Sequence, residues 1–224
     1  MLKRPTISER MFPVIDSSEV ITAWNYGLVC RLLECVWDAY DSLREDVLKE
    51  VDCTQPSDDL ERELTEKLFT RIQRLFDFSL PVHPMPAVAE RESRQNPPAQ
   101  PPMYDIAFIL NANDRICWPV EAKILESDKD TTTNLGDYVS TFNERFMTCY
   151  YAPFSTGAAM LGYLKEGNPS TVLQSIASRL GCTMNRPEHF TQRDHQTSDH
   201  VRNVPPQKPY PTRFRCNHMM MPLN

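Results

Sequence analysis

Apolar residues recur at helical spacing early in the chain. Val20, Ile21, Trp24, Leu28, Leu32, Cys35, Val36 and Leu43 follow the capping and acidic residues Asp16-Ser17-Ser18-Glu19, which predicts an amphipathic helix of about two dozen residues. A second helix is expected from Ser57, as its cap, through Asp58 and Asp59 to about Phe76. At ~100° per residue its Leu60, Leu64, Leu68, Ile72 and Leu75 share one sector, and Glu61 falls inside it while Glu63 falls opposite. A carboxylate on an apolar stripe is costly unless it meets a cation or escapes to water at the helix start. Residues 79–102 hold seven prolines and no apolar period, and they read as a loop.

The pattern then changes to that of a sheet. Tyr104–Leu110 is a predicted strand, Asn111–Asp114 a turn, and Arg115–Leu125 the returning strand of a hairpin, with Pro119 at a bulge or at the start of its well-paired half. A helix is expected from about Asn134 to Tyr150. Gly157–Leu164 is a continuous apolar run, the mark of a buried strand, and Pro169-Ser170-Thr171 opens a helix that Gly181 stops. The segment from Cys182 is polar until Arg213–Met221, which predicts a last edge strand. The expectation is one α/β domain over residues 1–224, a mixed β-sheet flanked by helices. Residues 1–55 form an N-terminal helical extension and residues 182–224 a tail packed on the core.

Composition narrows the function. The 224 residues are 41% hydrophobic and 24% charged with a mean hydropathy of -0.47, the balance of a globular chain, and neither a spanning segment nor a signal-peptide core is visible. Only 6 glycines accompany 19 prolines, and neither GxGxxG nor GxxxxGK[ST] occurs, which excludes a dinucleotide fold or a P-loop ATPase. A net charge of -6 opposes tight, unaided nucleic-acid binding. The seven cysteines form no CxxC pair and read as reduced cytoplasmic thiols. Cys182, His189, Cys216 and His218 are zinc-compatible in type, although their spacing fits no common knuckle.

The chemistry concentrates on the hairpin. Residues i and i+2 of a strand face one way, so Glu121 and Lys123 project together and Ala122 opposes them. Asp105 on the partner strand and Glu61 on a helix packed over that face would complete a group of hard oxygen ligands and one ammonium. Such ligands suit Mg²⁺, with Mn²⁺ as an alternative.

At these residues the chain resembles the PD-(D/E)XK superfamily of restriction-endonuclease-like nucleases. The matching elements are the helix bearing Glu61, Asp105 on one strand, Glu121-Ala122-Lys123 on the next, then a helix and an apolar strand, the family's αβββαβ order in outline over residues 57–165. Tyr104 stands where the motif has proline. The resemblance implies a restriction-endonuclease-like core and Mg²⁺-dependent DNA hydrolysis. It implies Asp105, Glu121 and the Ala122 carbonyl as metal ligands, Lys123 serving the attacking water, and Glu61 as an accessory carboxylate.

Tyr138, Asn143 and Arg145, on the helix after the triplet, are candidates for contact with the scissile phosphate. Six Lys or Arg against three acids make residues 182–224 mildly basic, either a solvated tail or a track for a strand. No DNA-recognition module is visible. A restriction or anti-phage system in which an ATPase or helicase partner grips the DNA fits this balance by analogy. The competing expectation is a non-catalytic interaction subunit.

Overall fold

The structure, a computed structural model, describes residues 23–46, 48–49, 51–90, 92, 101–127 and 133–223. The capping sequence Asp16 to Glu19, with Val20 and Ile21, lies outside these residues. Helix α1 spans Tyr26–Asp46 and is capped by Asn25, whose Oδ1 accepts the Leu28 N–H at 3.0 Å. Leu28, Leu32, Val36, Tyr40 and Leu43 form its buried stripe. Helix α2 spans Ser57–Leu75 and buries Leu60, Leu64, Leu68 and Ile72, whereas Leu75 ends the stripe 51% exposed. Pro56, not Ser57, holds the cap position, and the Ser57 hydroxyl instead donates to Glu126 Oε1.

Strand β1, Val82–Ala89, replaces the first part of the loop expected over residues 79–102, of which residues 91 and 93–100 lie outside the described residues. Prolines exclude a central strand, but β1 is the sheet's edge and pairs with β2, Met103–Leu110, alone. Pro84 and Pro86 lie two apart, so both missing donors face the same way, toward the open side. Strand β3, Asn113–Leu125, returns antiparallel to β2 after a turn of only Asn111 and Ala112. The register breaks between Ile109 and Leu110, while Pro119 pairs with Ala107 and immediately precedes the segment of β3 that joins β4.

Helix α3, Thr133–Thr141, passes into a π-helical turn, Phe142–Phe146, closed by Met147 N–H to Phe142 O at 3.1 Å. The chain has left helix by Cys149, whose φ is +60°, so the expected helix to Tyr150 ends early. Strand β4, Gly157–Leu164, is buried at every position. Helix α4, Pro169–Leu180, starts on an Asn168 side-chain cap and ends at Gly181, whose φ of +60° is the left-handed turn that favours glycine. Strands β5, His195–Val201, and β6, Arg213–Pro222, complete the sheet.

The sheet order is β1-β2-β3-β4-β6-β5, with β3, β4 and β6 parallel and the outer pairs antiparallel. The fold is therefore mixed α/β, a six-stranded sheet flanked by helices. The tail supplies an interior strand, not the expected edge: β6 lies between β4 and β5, and Cys216–Met221 are all buried as a central strand demands. β5, polar and at the edge, carries none of the apolar signal that would announce it.

Helices α1 and α2 cover the face bearing Ile106, Phe108, Val120, Ala122, Ile124 and Leu161. Helices α3 and α4 with the π turn cover the face bearing Ala107, Ile109, Cys117, Leu125 and Met160. Among the described residues no helix is long and apolar enough to cross a membrane, and all seven thiols are free.

Candidate active site

The site opens where two strands part. β2 and β3 pair as far as Ile106 with Val120, and beyond that point β3 pairs only with β4, through Leu125. The backbone groups on the vacated edge then find side chains. Ala122 N–H donates to Asp105 Oδ2 at 2.7 Å, and Ile124 N–H donates to Glu61 Oε2 at 3.1 Å. The N–H and C=O of one strand residue point to the same edge, so the Ala122 carbonyl faces this opening too, where it accepts Lys123 Nζ at 2.6 Å. The ladder also lapses on the other side of β2. Ala87, level with Asp105, has a φ of +49° and is skipped in the β1–β2 register.

Asp105, Glu121 and Lys123 share the sheet face covered by α3 and the π turn. Helix α2 lies on the opposite face, so Glu61 does not arrive from a helix packed over the site, as the sequence suggested. It reaches the site through the gap between the strands, and there Lys123 Nζ donates to Glu61 Oε1 at 2.8 Å. Glu121 Oε1 lies 3.6 Å from Lys123 Nζ and 3.8 Å from Arg145 Nη1. Among the described residues its other oxygen, Oε2, is buried without a hydrogen-bond partner. Such an orphan acceptor is costly, by about 1–3 kcal/mol and more when charged.

The electrostatics follow from this crowding. Glu121, 3% exposed, is pushed up to about 8, first by burial and then by the Asp105 charge, against the pull of Lys123 and Arg145. Burial also raises Asp105 and Glu61, each opposed by Lys123. Burial alone would lower Lys123, but Glu121, Glu61 and Asp105 outweigh it and hold the ammonium above its usual range. Three carboxylates thus face two cations. The orphan oxygen of Glu121, the Asp105 carboxylate and the Ala122 carbonyl are hard-oxygen donors, the kind a divalent cation takes. Among the described residues no group of three His, Cys, Asp or Glu side chains is placed to hold a metal ion.

The three residues expected to touch substrate separate. Arg145, on the π turn, does reach the site. Tyr138 does not: it is fully buried under the sheet, its hydroxyl donating to Met160 O at 3.2 Å and lying 2.9 Å from His218 Nδ1, which leaves no surface for a ligand. Asn143 is exposed on the π turn and makes no hydrogen bond to any site residue. Sequence reasoning missed Tyr151, which accepts from Arg145; an aromatic pair just beyond the helix was the one signal for it.

The zinc set does not assemble. His189 lies at the surface against Glu34, whereas His218 is buried with its ring nitrogens engaged by Tyr138 and Ser198. The basic tail is also largely accounted for within the fold. Arg193 pairs with Asp41, Arg215 with Asp199 and Lys208 with Glu92, while Arg202 is buried among carbonyls. A scan of protein-family models matches none of them, and searches among curated proteins and solved structures return no significant match.

Proposed function

We propose that this chain is a Mg²⁺-dependent nuclease that hydrolyses DNA phosphodiester bonds on a restriction-endonuclease-like core. The observation that carries the reading is the buried Oε2 of Glu121, without a partner among the described residues, on a carboxylate that feels the charges of Asp105, Lys123 and Arg145 where the Ala122 carbonyl faces the gap. The element order supports it: helix α2, antiparallel β1, β2 and β3, helix α3 and parallel β4 follow the αβββαβ sequence of the PD-(D/E)XK nucleases.

Asp105, Glu121 and the Ala122 carbonyl would hold the cation, which when bound supplies a Lewis acid and a more acidic water. Lys123, kept protonated by its carboxylate neighbours, orients the attacking water by donation and stabilises negative charge growing on the phosphorane. Glu61 fixes Lys123 and the Ile124 N–H from the far side of the gap. Arg145 offers its guanidinium to a non-bridging phosphate oxygen. In this reading the chain is the cytoplasmic effector of a restriction or anti-phage system whose ATPase or helicase subunit grips the DNA.

The test is plasmid cleavage in MgCl₂ by the wild type beside a Glu121→Ala/Lys123→Ala double variant. Nicking by the wild type alone is expected. Equal nicking by both, or none by either with full function of the double variant in the cell, would replace the nuclease with a non-catalytic subunit.

A further inference from the structure

Arg145 is the cation of the site that needs holding. It sits on an exposed turn with its side chain 44% exposed, and a free arginine there would sample many rotamers. Its carboxylate neighbour, Glu121 Oε1, is 3.8 Å away, too far for a hydrogen bond to hold it. What holds it is Tyr151. Arg145 Nη1 donates to the Tyr151 hydroxyl at 2.5 Å, the guanidinium carbon lies 5.0 Å from the ring centroid, and Tyr151 N–H donates to Arg145 O at 2.8 Å.

Tyr151 is itself fixed from three directions. Its hydroxyl donates to Met103 O at 2.7 Å, two residues before Asp105 on β2. Its ring meets Tyr104 edge-on at 4.9 Å and Phe146 at 5.5 Å, and the residue is 2% exposed. The next residue is anchored as well, Ala152 N–H donating to the Tyr104 hydroxyl at 2.7 Å. One phenol thus uses its single donor on the strand that carries Asp105 and an acceptor lone pair on the arginine beside Glu121. The two sides of the site are thereby tied through one side chain.

We infer that Tyr151 is a positioning residue that locks the Arg145 guanidinium beside the Glu121 carboxylate, in register with Asp105. The inference rests on the nuclease reading above. In this assignment Tyr151 contacts neither the substrate nor the metal ion, and its effect on the reaction passes through Arg145. Orientation of this kind contributes to the chemical step more than to ground-state binding when the phosphate's charge grows in the transition state.

The experiment is a double-mutant cycle on Mg²⁺-dependent DNA cleavage with wild type, Tyr151→Phe, Arg145→Ala and both together. Phe keeps the ring, its packing and the stacking surface, and removes only the hydroxyl. Tyr151→Phe should lower kcat by about tenfold with KM within about twofold, and Arg145→Ala by about a hundredfold. The double variant should match Arg145→Ala within about twofold, because a positioning residue has nothing left to position.

Arg145→Lys, which cannot reproduce the stacked fork, should make Tyr151→Phe equally silent. A merely structural tyrosine would instead act by the same factor in every background and lower the melting temperature in parallel, and that result overturns the assignment while leaving the nuclease reading intact. A wild type that makes no cut overturns the nuclease reading and this assignment with it.

Discussion

Replacing Glu121 by glutamine should make the metal-free protein more stable, by an amount that grows with pH. An acid whose folded-state pKa is raised favours the folded state while protonated. That advantage is complete below the unfolded pKa, near 4.5, and is lost as pH climbs through the folded value of about 8. Between pH 5 and pH 7.5 almost the whole interval lies in this window. At about 1.36 kcal/mol per unit, the wild type therefore loses roughly 3 kcal/mol relative to a side chain that does not titrate.

The cost of burying the amide is the same at both pH values and the Lys123 attraction is already contained in the folded pKa, so the pH-dependent difference is the clean quantity. For a chain of this size roughly 3 kcal/mol corresponds to about 6–12 °C in Tm. Thermal melts of wild type and Glu121→Gln in EDTA, at pH 5 and pH 7.5, measure it. Adding MgCl₂ at pH 7.5 should then raise the wild-type Tm and leave the variant's in place. A wild-type-to-variant difference that stays flat from pH 5 to pH 7.5 would refute the reasoning, because Glu121 would then already be a compensated carboxylate.

Arg202 is 3% exposed and donates to the carbonyls of Ala152, Pro153, Ser155 and Pro211 while stacking on Phe214, so it ties the loop before β4 to the turn before β6. Arg202→Ala should cost about 3 kcal/mol or more in urea unfolding. Gly157 and Gly162 on β4 should respond differently to alanine. A Cβ at Gly157 would lie 2.6 Å from the Arg215 backbone oxygen, whereas at Gly162 it meets the movable ends of Leu125 and Met220. Gly157→Ala should therefore destabilise by about 1–3 kcal/mol more than Gly162→Ala in paired denaturation curves.

The candidate site was legible where a local period fixes direction. Two-residue alternation put Glu121 and Lys123 together, and helical phase picked out Glu61 over Glu63. Neither period specifies which layer a helix joins, so the sequence brings Glu61 over the wrong face and does not announce its pairing with Lys123. The errors in the fold share one cause. Prolines and polar residues mark what a strand is not, and an edge strand tolerates both, so β1 and β5 were hidden by rules that hold for central strands. Tyr138 failed for the opposite reason: its polar hydroxyl suggested a surface role, while a buried histidine and a carbonyl satisfy it inside the core.

The parting of β2 and β3 links the sheet to the chemistry. Had the ladder continued past Val120, the Ala122 N–H and C=O would have faced β2 backbone, and no main-chain oxygen would have been left for a cation. Separation frees that pair, and the Asp105 carboxylate takes the amide. The break at Ala87 lies level with Asp105, so β2 is released from regular pairing on both sides at the residue that must turn into the gap. The acidic balance of the chain then takes on a local meaning. Under the proposed function, the negative charge that opposes nucleic acid at long range would, at this gap, attract the cation that lets a phosphodiester approach.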